Sequence, residues 1–83
     1  MKNPIEIIAK ISKAPDFSPG DIAALMQKLG LNEKGFGLVM NVSPFTIKMW
    51  ITGATQPRSA ASRLLQLYKT RPACINALVD EES

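Results

Sequence analysis

The stretch NVSPFTIKMW, Asn41 to Trp50, decides the fold and poses the functional question. Ser43 is a natural helix N-cap, and Pro44 suits the first helical turn, where its missing N–H costs nothing. At helical spacing Ile47, Trp50 and Ile51 share one face, while Phe45 and Met49 lie four apart on another, beside Lys48 and Thr52. One apolar face belongs in a core. The second needs a different explanation.

Outward from that stretch, helix punctuation recurs on both sides. Asn41 tolerates the left-handed conformation of a tight turn, and Gly53 closes the helix that Ser43 opens. Upstream, Asn32 caps a short helix over 33–40 with Phe36, Val39 and Met40 facing inward; Gly35 and Gly37 each weaken it by about 1 kcal/mol relative to Ala. Ser18-Pro19 opens another helix, with Asp21 in its first turn and Ile22, Leu25, Met26 and Leu29 as an amphipathic stripe; Gly30 stops it. Asn3-Pro4 opens a first helix running to about Lys13, striped with Ile5, Ile7, Ile8 and Ile11, and Ala14-Pro15 ends it. Downstream, the loop ATQPR leads to a helix over Ser59 to Lys69 carrying Leu64, Leu65, Leu67 and Tyr68. A last short helix, about Pro72 to Val79, presents Ile75, Leu78 and Val79. Period-two alternation and hairpin dipeptides are lacking, so the expected class is all-α: a compact bundle of about five helices with an additional short N-terminal helix.

Eighty-three residues, 46% hydrophobic and 20% charged, describe one domain with one small core. No window offers the roughly 18 apolar residues of a membrane span, and the N-terminal isoleucines, broken by Glu6 and Lys10, do not form a signal peptide. The lone Cys74 fits a cytoplasmic setting and reads as a small buried filler. With no His there is neither a His-based nucleophile relay nor a common zinc site, and GFG at 35–37 lacks the ending of a phosphate loop. No catalytic residue, metal or cofactor is expected. The net charge of +3 is unevenly placed: 34–79 holds Lys34, Lys48, Arg58, Arg63, Lys69 and Arg71 and no acid. Asp80, Glu81 and Glu82 follow, and Glu6, Asp16, Asp21 and Glu33 precede. A polyanion partner and a solvated basic surface both fit that distribution.

Helices 33–40 and 43–52, joined by a tight turn, have the form of a helix-turn-helix. The run FSPGDIAALMQKLGLNEKGFGLVMNVSPFTIKMWITGATQPRSAASRLLQLY resembles, without a gap, the lambda-repressor-like (Xre/Cro-type) family. The resemblance rests on Phe17, Pro19, Ile22, Leu25, Leu29-Gly30-Leu31, Phe36, Val42-Ser43, Thr46, Ile47, Trp50, Gly53, Pro57, Ala61 and Leu64-Leu65. The tail KTRPACINALV is similar to the ending of short antitoxin-type regulators of that family. Residues 1–16 would then be an N-terminal helix or arm and 17–83 the helix-turn-helix domain.

The resemblance implies that helix 43–52 enters the major groove of duplex DNA, with Pro44, Phe45, Lys48 and Met49 as base-reading positions. Lys34, Ser43, Thr46, Thr52 and Arg58 become phosphate contacts, and Phe36, Val42, Ile47 and Trp50 the core of the motif. An apolar face in the groove has thymine methyl groups to touch, and Lys48 has guanine N7 or O6 or a phosphate. The sequence departs from the family at Glu33, where a Gln usually meets the backbone, at Ile51 in place of Glu, and at Gly37 in place of a packing Ala. The loop after the reading helix, Ala54-Thr55-Gln56, also lacks the usual arginines, so weaker non-specific binding is expected. The expected function is a bacterial or phage-type transcriptional regulator, a repressor that binds duplex DNA as a homodimer in the cytoplasm, on the nucleoid. The alternative, which the tail motivates, is an antitoxin-type module that neutralises a toxin protein; separately, Phe45 and Met49 also read as a protein interface in place of a DNA contact, and Leu38 fits either surface. The N-terminal isoleucine stripe is expected to dock on the domain, with dimerisation or partner binding as the alternative.

Overall fold

The computed structural model describes residues 4–79, all helix, turn and loop, with no strand among them. Five α-helices run in chain order: α1 Pro4–Lys10, α2 Pro19–Lys28, α3 Glu33–Met40, α4 Pro44–Thr52 and α5 Ala60–Thr70. A 3₁₀ helix, Pro72–Leu78, is the last element among the described residues. The acidic tail and the Asn3 start of the first helix lie outside the described residues.

Local chemistry sets the helix starts. Ser18 and Asp21 form a reciprocal capping box: Asp21 N–H donates to Ser18 Oγ at 3.1 Å, and Ser18 N–H donates to the Asp21 carboxylate at 3.1 Å. Those two bonds with Ser18, the backbone one foremost, hold the Asp21 carboxyl below its ordinary value of 3.8. Asn32 Oδ1 accepts from Gly35 N–H at 2.8 Å to start α3, and Ser43 Oγ accepts from Thr46 N–H at 3.1 Å to start α4. Between α3 and α4 the chain reverses through Asn41 at φ 59°, and Gly53 ends α4 at φ 83°.

The core is one cluster: Phe17, Ile22, Leu25, Phe36, Met40, Ile47, Trp50, Leu65 and Tyr68, drawn from α2 to α5 and the segment before α2. Phe36, Ile22, Ile47 and Leu65 are fully enclosed, and burying each side chain stabilises the fold by about 1.5–3 kcal/mol. Val39, Val42 and Ile51 pack around the cluster. Tyr68 ties α5 to α3, its hydroxyl donating to Val39 O at 2.9 Å. Lys69 Nζ sits 5.9 Å from the centroid of the Phe17 ring, a cation–π arrangement joining α5 to the entry of α2.

Four expectations are corrected. The first helix ends at Lys10 rather than Lys13: Ile11 N–H donates to Ile8 O in a turn, and Ser12 O accepts from Arg63 Nη2 at 2.9 Å. The isoleucine stripe does not dock, because the core is closed by Phe17 and α1 contributes no buried residue to it. Cys74 is exposed, not buried. In a 3₁₀ helix, residues three apart align, so Pro72 and Ile75 turn inward together and Cys74 turns away. Finally, α5 begins at Ala60: Ser59 stands outside it at φ 52° and makes no side-chain cap.

Candidate nucleic-acid interface

The α3–α4 pair is built around one close backbone approach. Gly37 is buried in α3, and a Cβ there would lie 2.7 Å from Val42 O and 3.3 Å from Pro44 N. Position 37 therefore has no room for a methyl group. That contact, the left-handed Asn41 and the Ser43 cap together fix how α4 leaves α3.

The two faces of α4 separate cleanly. Ile47 and Trp50 are buried and Ile51 is half-buried against the core. On the other side Phe45 is 68% exposed, Lys48 and Thr52 are exposed, and Met49 is half-buried. These four fall within about 100° of arc at 3.6 residues per turn, forming one continuous outward strip. Pro44 is exposed at the first turn of the same helix. All four base-reading candidates thus stand on one helix, and three of them on one strip. The motif-core candidates are equally consistent: Phe36, Ile47 and Trp50 are buried, and Val42 is half-buried against them.

The phosphate candidates are less uniform. Lys34 is exposed in the first turn of α3, one residue beyond the half-buried Glu33. Arg58 is exposed in the loop before α5. The hydroxyls of Ser43 and Thr46 lie 3.0 Å apart and share a hydrogen bond, and Thr52 donates to Met49 O at 3.2 Å. Each of these hydroxyls already serves the helix, so a phosphate would meet only its remaining capacity. The basic middle of the chain is not one surface either: Arg63 donates to Gln66 and Ser12, and Lys69 covers Phe17.

Two features escaped the sequence reading. One is that Lys34 lies beside Leu38, itself 77% exposed as expected, on one face of α3 at i and i+4 spacing. A groove of about 700 Å³ brings Lys13 and Asp16 beside Arg58, Ser59 and Arg63. The pairing of the N-terminal segment with the loop before α5 spans more than forty residues, and no local pattern announces it.

Among the described residues, no three His, Cys, Asp or Glu side chains stand together as a metal site, and no helix is long and apolar enough to cross a membrane. Comparison with known protein families and with curated proteins finds no match to this chain.

Proposed function

We propose that this protein is a sequence-specific duplex-DNA-binding regulator that reads the major groove with α4 and represses by occupying a promoter. One observation carries the reading: α4 buries Ile47 and Trp50 while leaving Phe45, Lys48 and Thr52 exposed on the other side, with half-buried Met49 among them. A helix held by one face and bare on the other is the form that a groove about 12 Å wide admits. Within it, Phe45 and Met49 meet thymine methyl groups, Lys48 meets guanine or phosphate, and Pro44 borders the base edges. Lys34 and Arg58 supply the electrostatic hold, with Ser43, Thr46 and Thr52 adding hydrogen bonds at the backbone. The protein works as a homodimer in the cytoplasm, on the nucleoid, with two reading helices on half-sites about 34 Å apart. It is a binding protein rather than an enzyme, and it needs no cofactor.

The deciding experiment is fluorescence anisotropy with a labelled duplex from upstream of the protein's own gene, against a random duplex, at two salt concentrations. The reading expects selective binding that weakens with salt and is lost in the Phe45→Ala/Lys48→Ala double variant. Binding unchanged in the double variant would overturn it. The exposure of Leu38 and Phe45 favours one second reading, a toxin-binding surface of antitoxin type. Under that reading the same double variant loses a protein partner, and neither duplex is bound selectively by the wild type.

A further inference from the structure

The groove of about 700 Å³ between the N-terminal segment and the loop before α5 holds charge that the fold leaves unpaired. Lys13, Arg58 and Arg63 line it against a single carboxylate, Asp16. The side chains of Lys13 and Arg58 are exposed and make no ion pair or hydrogen bond among the described residues. Cations gathered without matching acids repel one another, so the fold itself gains nothing from bringing them together. The walls are nevertheless built. Arg63 donates through Nη1 to Gln66 Oε1 at 2.7 Å and through Nη2 to Ser12 O at 2.9 Å, which holds the residue before Lys13 against α5. Two of its five N–H donors are used, so three remain. On the loop side, the buried Ser62 hydroxyl donates to Pro57 O at 3.1 Å and Arg58 O accepts from Ala61 N–H at 3.0 Å. Ser59 lines the same groove with a hydroxyl that does not cap α5.

We propose that the groove is a binding site for a small phosphomonoester, whose phosphate Lys13, Arg58 and Arg63 hold together. Charge selects the class. Three cations against one carboxylate leave two positive charges, and a phosphomonoester carries about two negative ones at pH 7. A phosphodiester, as in a nucleic-acid backbone, carries one per phosphate. Donor chemistry agrees: the planar guanidinium groups of Arg58 and Arg63 suit paired phosphate oxygens, and Lys13 adds a point charge. The volume admits more than a bare phosphate, since small-molecule clefts run to about 300–1,000 Å³. Asp16 and Ser59 then meet hydroxyl groups of the sugar or polyol that bears the phosphate. Because Arg63 already holds the N-terminal segment to α5, little ordering remains to be done on binding. Arg58 is also a phosphate contact in the proposed DNA complex, so ligand and duplex compete for it. That consequence rests on the proposed DNA binding, whereas the site itself does not.

The test needs no DNA. The full-length protein, nitrogen-15-labelled, is titrated with glycerol 2-phosphate at constant ionic strength while its amide shifts are followed. Shifts confined to residues 12–16 and 56–63 are expected, saturating below about 20 mM. The double variant Lys13→Gln/Arg58→Gln, at two exposed positions without bonds of their own, should weaken binding about tenfold with an unchanged melting curve. Asp16→Asn removes the one like charge in the lining and should tighten binding about two- to fivefold. Dimethyl phosphate, with the single charge of a DNA linkage, should bind several-fold more weakly than the monoester. Lowering the pH from 7.5 to 5.0 should weaken glycerol 2-phosphate, which regains a proton at about pH 6, and leave doubly charged sulfate unaffected. The absence of saturable shifts would overturn the proposal, as would shifts that the double variant keeps. Dimethyl phosphate bound as tightly as the monoester would also overturn it and give the groove to a nucleic-acid backbone.

Discussion

Gly37 and Val42 approach so closely that a Cβ on the glycine would stand 2.7 Å from the Val42 carbonyl oxygen. The obstacle is backbone, which cannot rotate aside as a side-chain tip would. Gly37→Ala must therefore push α3 from the turn that launches α4, although alanine is intrinsically the better helix former by about 1 kcal/mol. We expect the steric term to win, lowering the urea-derived stability by about 1–3 kcal/mol. Gly20→Ala is the control: its Cβ meets nothing nearer than Ser18 Oγ at 3.8 Å, and a gain of about 0.5 kcal/mol is expected. If Gly37→Ala were as well tolerated as Gly20→Ala, the close approach would not constrain the motif.

Tyr68 holds α5 to α3 through its bond to Val39 O, and Tyr68→Phe should cost about 0.5–1.5 kcal/mol at neutral pH. Its pH dependence has a definite sign. Burial, foremost, and the neighbouring Cys74 charge raise the hydroxyl above its ordinary 10.0. The folded state thus keeps the proton where the unfolded chain releases it. That contribution is fully present below about pH 10 and is lost as pH rises through the folded-state value. Thermal melts from pH 8 to pH 11 should show wild type losing its lead over Tyr68→Phe on the alkaline side. A gap constant with pH would contradict the linkage.

These contacts show which parts of the fold were legible beforehand and which were not. The starts of α2, α3 and α4 rest on Ser18, Asn32 and Ser43 bonding backbone three residues on, a local chemistry that a sequence displays directly. The left-handed turn at Asn41 is equally local, and so is the buried Ile47/Trp50 face of α4. The isoleucines of α1 show the limit. Periodicity says that a face is apolar, not what covers it, and here the core was already complete. Cys74 shows another: its expected burial rested on residue type alone, whereas the 3₁₀ turn brings Pro72 and Ile75 inward and leaves Cys74 exposed. In the candidate site the outward strip was legible, but the hydroxyl bonds that engage Ser43, Thr46 and Thr52 within α4 were not.

Glu33 sets stability against affinity. As the first residue of α3 it lies where a carboxylate favours the helix dipole, typically by about 0.3–1 kcal/mol. In the proposed complex the same carboxylate faces the DNA backbone. Glu33→Gln should therefore lower the melting temperature slightly while tightening DNA binding, by about three- to tenfold at low salt and less at high salt. Anisotropy titrations at two ionic strengths, with a parallel melt, separate the two effects. Affinity unchanged by the substitution would place Glu33 away from the phosphates.

Phe45 offers the sharpest test of what the outward strip of α4 touches. If its ring packs on a thymine methyl group in the major groove, deleting that methyl removes apolar contact and nothing else. Replacing the thymines of a selected duplex by uracil one at a time does so without changing a hydrogen-bonding group. At about 0.8 kcal/mol per buried methyl-sized group, one position should weaken wild-type binding roughly fourfold. In Phe45→Ala the same duplexes should bind alike, since the partner of the methyl is already gone. The coupling between the two deletions is what distinguishes contact from a general loss of affinity. Lys48→Ala behaves differently: it should flatten the salt dependence by about one ion if Lys48 holds a phosphate, yet leave the uracil effect intact. A uracil penalty that persists in Phe45→Ala would move the methyl contact elsewhere, with half-buried Met49, on the same strip, the next residue to test.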